Sequence, residues 1–126
     1  MLKVLIVDDD PDVRKIISAL VKRHPAFEVS EAGSIEDALK LCAANKFTLL
    51  FLDHNVGKGN GWFISDIITM NPKKYGSPVV VAMSGSVLPD EAVKYHGNFS
   101  QFLPKPFRAS DIYDVMKKLE ETTKEG

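Results

Sequence analysis

Apolar residues arrive along this chain in short runs, and each run closes on polar or small residues. Leu2-Lys3-Val4-Leu5-Ile6-Val7 leads into Asp8-Asp9-Asp10, and Phe27-Glu28-Val29-Ser30 follows as a shorter run. Phe47-Thr48-Leu49-Leu50-Phe51-Leu52 ends on Asp53. Pro78 to Met83 ends on Ser84-Gly85-Ser86, and Asn98 to Leu103 ends on Pro104-Lys105-Pro106. Continuous apolar runs of this length predict strands buried on both faces, the kind that parallel sheets use.

Between the runs the period becomes helical. Val13, Ile16, Ile17, Leu20 and Val21 mark a first helix, opened by Pro11 behind an Asp10 N-cap and closed at His24-Pro25. Ser34, with Asp37 three residues on, opens a second helix that turns Ile35, Ala38, Leu39 and Cys42 inward. A third starts at Asn60-Gly61, carries Trp62, Phe63, Ile67 and Met70, and stops at Asn71-Pro72. Pro89-Asp90-Glu91 begins a short fourth helix that ends before Gly97. Ser110-Asp111 begins the last, with Ile112, Val115, Met116 and Leu119 inward.

Strict alternation of strand and helix predicts an α/β fold, a doubly wound parallel sheet with helices on both faces. Right-handed crossovers bring every strand's carboxyl end to one edge, and open parallel sheets bind ligands there. That edge gathers Asp8, Asp9, Asp53, Ser84 and Lys105 from four strands. Three carboxylates in one small volume repel each other, and a hard cation such as Mg²⁺ relieves this with oxygen ligands while keeping positions open for a phosphate. A lysine and a serine hydroxyl complete a clamp for phosphoryl oxygens, and a carboxylate can itself be the nucleophile. Asp53 is the best placed for that role.

Composition narrows the setting. At 126 residues the chain is one domain, and a net charge of −1 presents no bulk field toward nucleic acid or an anionic membrane. No apolar run approaches the roughly 20 residues that span a bilayer. The single Cys42 excludes an internal disulfide, and the N-terminus has no signal-peptide pattern, so a cytoplasmic setting is expected.

The markers together resemble a response-regulator receiver domain, over essentially the whole of residues 1–126. They are Asp8-Asp9 after Val-Leu-Ile-Val, Asp53 after its apolar strand, Gly61 eight residues past it, Ser84 followed by a small residue, and Lys105-Pro106-Phe107. The resemblance implies a five-stranded sheet of order 2-1-3-4-5 and no output domain within the chain. It implies a signalling domain, not a turnover enzyme, in which Asp53 accepts a phosphoryl group from a histidine kinase or phosphotransfer protein. Asp9, Asp53 and the backbone carbonyl of Asn55 would hold Mg²⁺, with Asp8 assisting, and Lys105 would pair with the phosphoryl group. The Lys105–Pro106 bond would be cis. Ser84 and Phe102 would form a switch, reporting to a downstream protein through the face built by the fourth helix, fifth strand and fifth helix.

The sequence departs from that pattern where the family usually carries methionine and proline. Val56-Gly57 stands there, and Gly57, Gly59 and Gly61 predict a loop freer than proline would give. The segment from Ser84 to Gly97 is short, so a stunted fourth helix is expected. Asn55 and Ser86 occupy positions that tune dephosphorylation in the family.

The plainer readings stand beside these. Asp10 caps a helix, Trp62 packs a helix, Cys42 is a small buried residue, and Phe102 serves equally as core. His24, His54 and His96 lack metal-ligand spacing and read as surface or loop residues, with His54 set apart by its place next to Asp53. A haloacid-dehalogenase-type phosphatase, with Asp8 as nucleophile and Asp10 as acid-base, is the alternative function; Pro11-Asp12 fits it poorly.

Overall fold

The structure, a computed structural model, describes residues 2–86 and 99–125. The sheet strands are β1 (Leu2–Val7), β2 (Phe27–Ala32), β3 (Leu49–Asp53), β6 (Val79–Ser84) and β7 (Gln101–Pro104). A short ribbon, β4 (Asn55–Val56) and β5 (Gly59–Asn60), lies between β3 and β6 in the chain. The helices are α1 (Pro11–Lys22), α2 (Ile35–Ala44), α3 (Phe63–Met70), the one-turn α4 (Pro72–Tyr75) and α5 (Ala109–Glu125). The five sheet strands run parallel in the order β2-β1-β3-β6-β7, which is the expected 2-1-3-4-5 arrangement.

The unbroken apolar runs are explained by two cores. Successive strand side chains point to opposite faces. Leu5, Val7, Leu50, Leu52, Val80 and Ala82 therefore pack on one side with Ala38 and Cys42 of α2 and Ile64 and Ile68 of α3. Val4, Ile6, Leu49, Phe51, Val81 and Met83 pack on the other with Ile17 and Val21 of α1 and Ile112, Val115 and Met116 of α5. At about 1.5–3 kcal/mol for each fully buried aliphatic side chain, these two layers dominate the stability of the fold.

Local signals hold where they rest on caps. The Asp10 carboxylate accepts from the Asp12 amide at 2.9 Å, and the Ser34 hydroxyl accepts from the Asp37 amide at 3.1 Å. Boundaries shift where pairing overrides pattern. β2 runs on to Ala32 because its backbone stays in register with β1, Leu2 opposite Phe27 through Val7 opposite Ala32. The third helix starts at Phe63, after the Asn60 side chain has accepted from the Trp62 amide at 2.9 Å. Pro72 does more than end that helix: it opens α4, whose Tyr75 is buried. The start of the fifth strand moves from Asn98 to Gln101. The fourth helix from Pro89 and residues 87–98 in general lie outside the described residues.

The glycine-bearing loop after Asp53 is not free. It is an antiparallel ribbon, with Asn55 opposite Asn60 and Val56 opposite Gly59. Gly57-Lys58 is its two-residue connection. Gly57 has φ +61°, and among the described residues no non-glycine residue has positive φ, so in this turn positive φ falls at the first central position alone, as a type II′ turn requires. Val56 is buried in the core and anchors the ribbon.

Candidate functional site

Each site residue stands where a strand ends. Asp8 is the first residue past β1, Asp53 is the last of β3, and Lys105 is the first past β7. The Lys105 amide donates to the Ser84 carbonyl at 2.8 Å, so the β6–β7 ladder fixes the lysine's place. Gly61 fixes the exit from Asp53. Its amide donates to the His54 carbonyl at 2.9 Å, and a Cβ there would run into the Asp53 carbonyl and the Val56 side chain. Because the obstacle is partly backbone, Gly61→Ala is expected to cost at the upper end of the roughly 1–3 kcal/mol range for overpacking. An unchanged urea midpoint would show that the ribbon yields instead.

The side chains converge. Lys105 Nζ lies 2.7 Å from Asp8 Oδ2 and 3.0 Å from Asp53 Oδ1, and both carboxylates are buried. Asp8 Oδ1 accepts from the Asp10 amide at 2.9 Å. Asp9 is exposed, and its Oδ2 accepts from the Gly57 amide at the ribbon's tip, at 2.9 Å. One oxygen from each of Asp8, Asp9 and Asp53 lies within 4.8 Å of the others.

The charges do not balance. Two buried carboxylates share the ammonium of Lys105, and a third, Asp9, lies beside them. Burial raises the Asp53 carboxyl above its ordinary value; the Lys105 hydrogen bond pulls the other way, and Asp8 and Asp9 add to the rise. For Lys105, burial alone would lower the ammonium, but the bonds to Asp8 and Asp53 outweigh it and hold the group above its ordinary value. An oxygen-only cluster with excess negative charge, two of its three carboxylates buried, is the donor set that suits a hard divalent cation.

The other expected site residues fall as follows. Ser84 is buried, and its hydroxyl accepts from the Ser86 amide at 3.0 Å and lies 3.3 Å from the Ser86 hydroxyl. Asn55 is exposed at the start of the ribbon, two residues past Asp53. Phe102 is partly buried, its ring edge-on to Trp62 with centroids 6.0 Å apart. Lys105–Pro106 is cis. Asp10 is absent from the acidic cluster, since its carboxylate caps α1; this removes the acid-base partner that the phosphatase alternative needs.

His24 and His54 both lie in loops, as expected, and each makes a tertiary contact. His24 bridges α1 to α5, with Nε2 2.7 Å from Glu120 Oε1. His54 is half-buried, its ring against the fully buried Trp62 at 4.6 Å. Trp62 Nε1 donates to the Leu52 carbonyl at 3.1 Å, so its packing role holds. Cys42 is buried as expected, which pushes its thiol up to about 11. His96 lies outside the described residues.

Arg14 was not singled out from sequence. It donates from Nη1 to the Asp8 carbonyl at 2.6 Å and pairs through Nε with Glu31 at 3.3 Å, pinning the turn that carries Asp8 and Asp9. The available signal was its place in the first turns of the helix directly behind the acidic turn.

Comparison with known proteins gives a family. The model for the response regulator receiver domain matches residues 4–117. The sensory transduction protein LytT of Bacillus anthracis is 30% identical over 119 residues, covering 94% of this chain and 47% of that protein. The chain thus spans about half the length of the curated relatives it matches. The receiver domain of NtrX from Brucella abortus is 26% identical with a TM-score of 0.80, covering 94% of this chain and 98% of that one. The beryllofluoride-activated NtrC4 receiver domain is 27% identical with a TM-score of 0.83, covering 97% and 98% respectively.

Proposed function

This chain belongs to the response regulator receiver domain family, and from that premise we propose that it is a phosphoacceptor that takes a phosphoryl group onto Asp53. The donor is a phosphohistidine of a histidine kinase or phosphotransfer protein. The observation that carries the reading is Lys105 held by both buried carboxylates, Asp8 and Asp53, with Asp9 alongside.

An Asp53 oxygen attacks phosphorus as the donor's phosphorus–nitrogen bond breaks, and the electron pair leaves with the imidazole nitrogen. Lys105 follows the new charge, moving its ammonium from the Asp53 carboxylate to a phosphoryl oxygen. The side chains of Asp8, Asp9 and Asp53 and the Asn55 carbonyl would hold Mg²⁺, which supplies neutralising charge for the phosphoryl oxygens. Ser84 exchanges its Ser86 bond for one to the phosphoryl group, and Phe102 repacks on Trp62, passing the change to a downstream protein.

The test is direct. The protein is incubated with Mg²⁺ and a small phosphodonor, and its intact mass is measured. One acid-labile phosphoryl group mapping to Asp53 is expected. Label on Asp8, or steady turnover of a phosphate ester, would sink the reading in favour of a phosphatase.

The protein donor needs a dock beside the site. Val13 and Ile16 of α1, with Lys105, Pro106 and Phe107, line an apolar groove of about 420 Å³, and Ile16 is 56% exposed. Ile16→Asp is expected to slow transfer from a phosphohistidine protein by about tenfold or more, as loss of an interface anchor does. Transfer from the small phosphodonor should stay unchanged. Equal slowing with both donors would place the defect in the acidic site and remove the groove from the account.

A further inference from the structure

We propose that Gly57 is a positioning residue for Asp9, and that the β4–β5 ribbon exists to bring its backbone amide to that carboxylate. The inference rests on the phosphoacceptor reading and extends it to a residue with no side chain.

Three observations carry it. Asp9 is exposed, while its two acidic neighbours are buried, so it alone is free to swing toward water and away from their like charges. It stays within 4.8 Å of them, with its Oδ2 accepting from the Gly57 amide at 2.9 Å across 48 residues of chain. That amide can face Asp9 because of the turn: Gly57 sits at φ +61°, and Val56 and the Asn55–Asn60 pair anchor the ribbon behind it. Hydrogen bonds to carboxylates are the stronger class, and this one holds Asp9 in place while leaving its other oxygen outside the bond.

The departure from the family pattern then has a physical reason. A proline at position 57 has no N–H to donate and fixes φ near −65°, on the wrong side of zero for this turn. Glycine here is not slack in the loop. It is the residue that supplies both the conformation and the donor.

The experiment measures Mg²⁺ affinity by calorimetry on the whole chain, alongside metal-free melting. A D-alanine at position 57 keeps the amide and favours positive φ, as D-residues do in primed turns; it should bind Mg²⁺ within about twofold of the wild type. Gly57→Pro should bind at least about tenfold more weakly, as loss of one charge-assisted bond predicts. Because Gly57→Pro can also unfold the ribbon, the deciding variant replaces Gly57 by glycolate. That swaps the amide for an ester, removing the donor and leaving the conformational freedom of glycine. An ester variant that melts like the wild type and binds Mg²⁺ about tenfold more weakly supports the inference. An ester variant that binds like the wild type overturns it. A wild type that takes neither Mg²⁺ nor a phosphoryl group overturns the phosphoacceptor reading itself, which is a different failure.

Discussion

Asp53→Asn is expected to take up no phosphoryl group at all, and in the absence of metal to resist urea better than the wild type at neutral pH. The first effect is chemical, since the amide oxygen of asparagine is a poor nucleophile and Asp8 and Asp9 do not replace it. The second follows from the raised carboxyl of Asp53. Burial, with Asp8 and Asp9 behind it, makes the folded chain hold the Asp53 proton more tightly than the unfolded chain does. Stability therefore falls as pH rises from the ordinary carboxyl value of 3.8 through the folded value, and the penalty is fully present above both. The substitution removes that penalty. Its advantage should shrink as pH falls toward 3.8 and should not survive there. Magnesium, which steadies the wild type by mass action, should steady the variant far less. Paired urea titrations at neutral and acid pH, with and without Mg²⁺, check all three. A variant less stable than the wild type at neutral pH would mean that the Asp53–Lys105 bond outweighs the burial of the charge.

Much of this was legible because the sheet is parallel and doubly covered. Strands buried on both faces must be apolar throughout, so the runs ending at Val7, Asp53 and Ser84 announce themselves, and one edge must collect whatever follows them. Asp8, Asp53 and Lys105 were found that way. The ribbon was not, because two-residue strands have no periodicity to read. The one cue, a Gly-X pair flanked by Val56 and Gly59, has meaning only once the flanks are known to pair. Arg14 was hidden for another reason. Its partners, the Asp8 carbonyl and Glu31, come from a backbone group and from the neighbouring strand β2, and neither leaves a spacing in the chain. The aromatic contact of His54 with Trp62 is tertiary in the same sense, closed by the ribbon folding back on itself.

Lys105→Ala should produce the largest loss of stability of any side-chain truncation at the site. The wild-type ammonium stands between two buried carboxylates, and removing it leaves both without their cation. Breaking a buried pair this way costs about 3–5 kcal/mol, and the lower end applies because the Lys105 side chain is itself 23% exposed. Lys105 is held above its ordinary 10.5, so in the wild type its contribution is fully present below that value and is lost as pH rises through the folded one. Neutral solution is therefore where the comparison should be made. Two dependences then separate electrostatics from lost packing. Acidification should narrow the gap, since the unpaired Asp53 can take a proton. Mg²⁺ should narrow it further, because a divalent cation supplies the charge that the lysine no longer does; an ion present at 100 times its Kd adds about 2.7 kcal/mol, and the gain should exceed that of the wild type at the same concentration. If the deficit is the same at every pH and with or without Mg²⁺, then the lysine stem and not its charge holds the edge together, and the acidic cluster is no ion site.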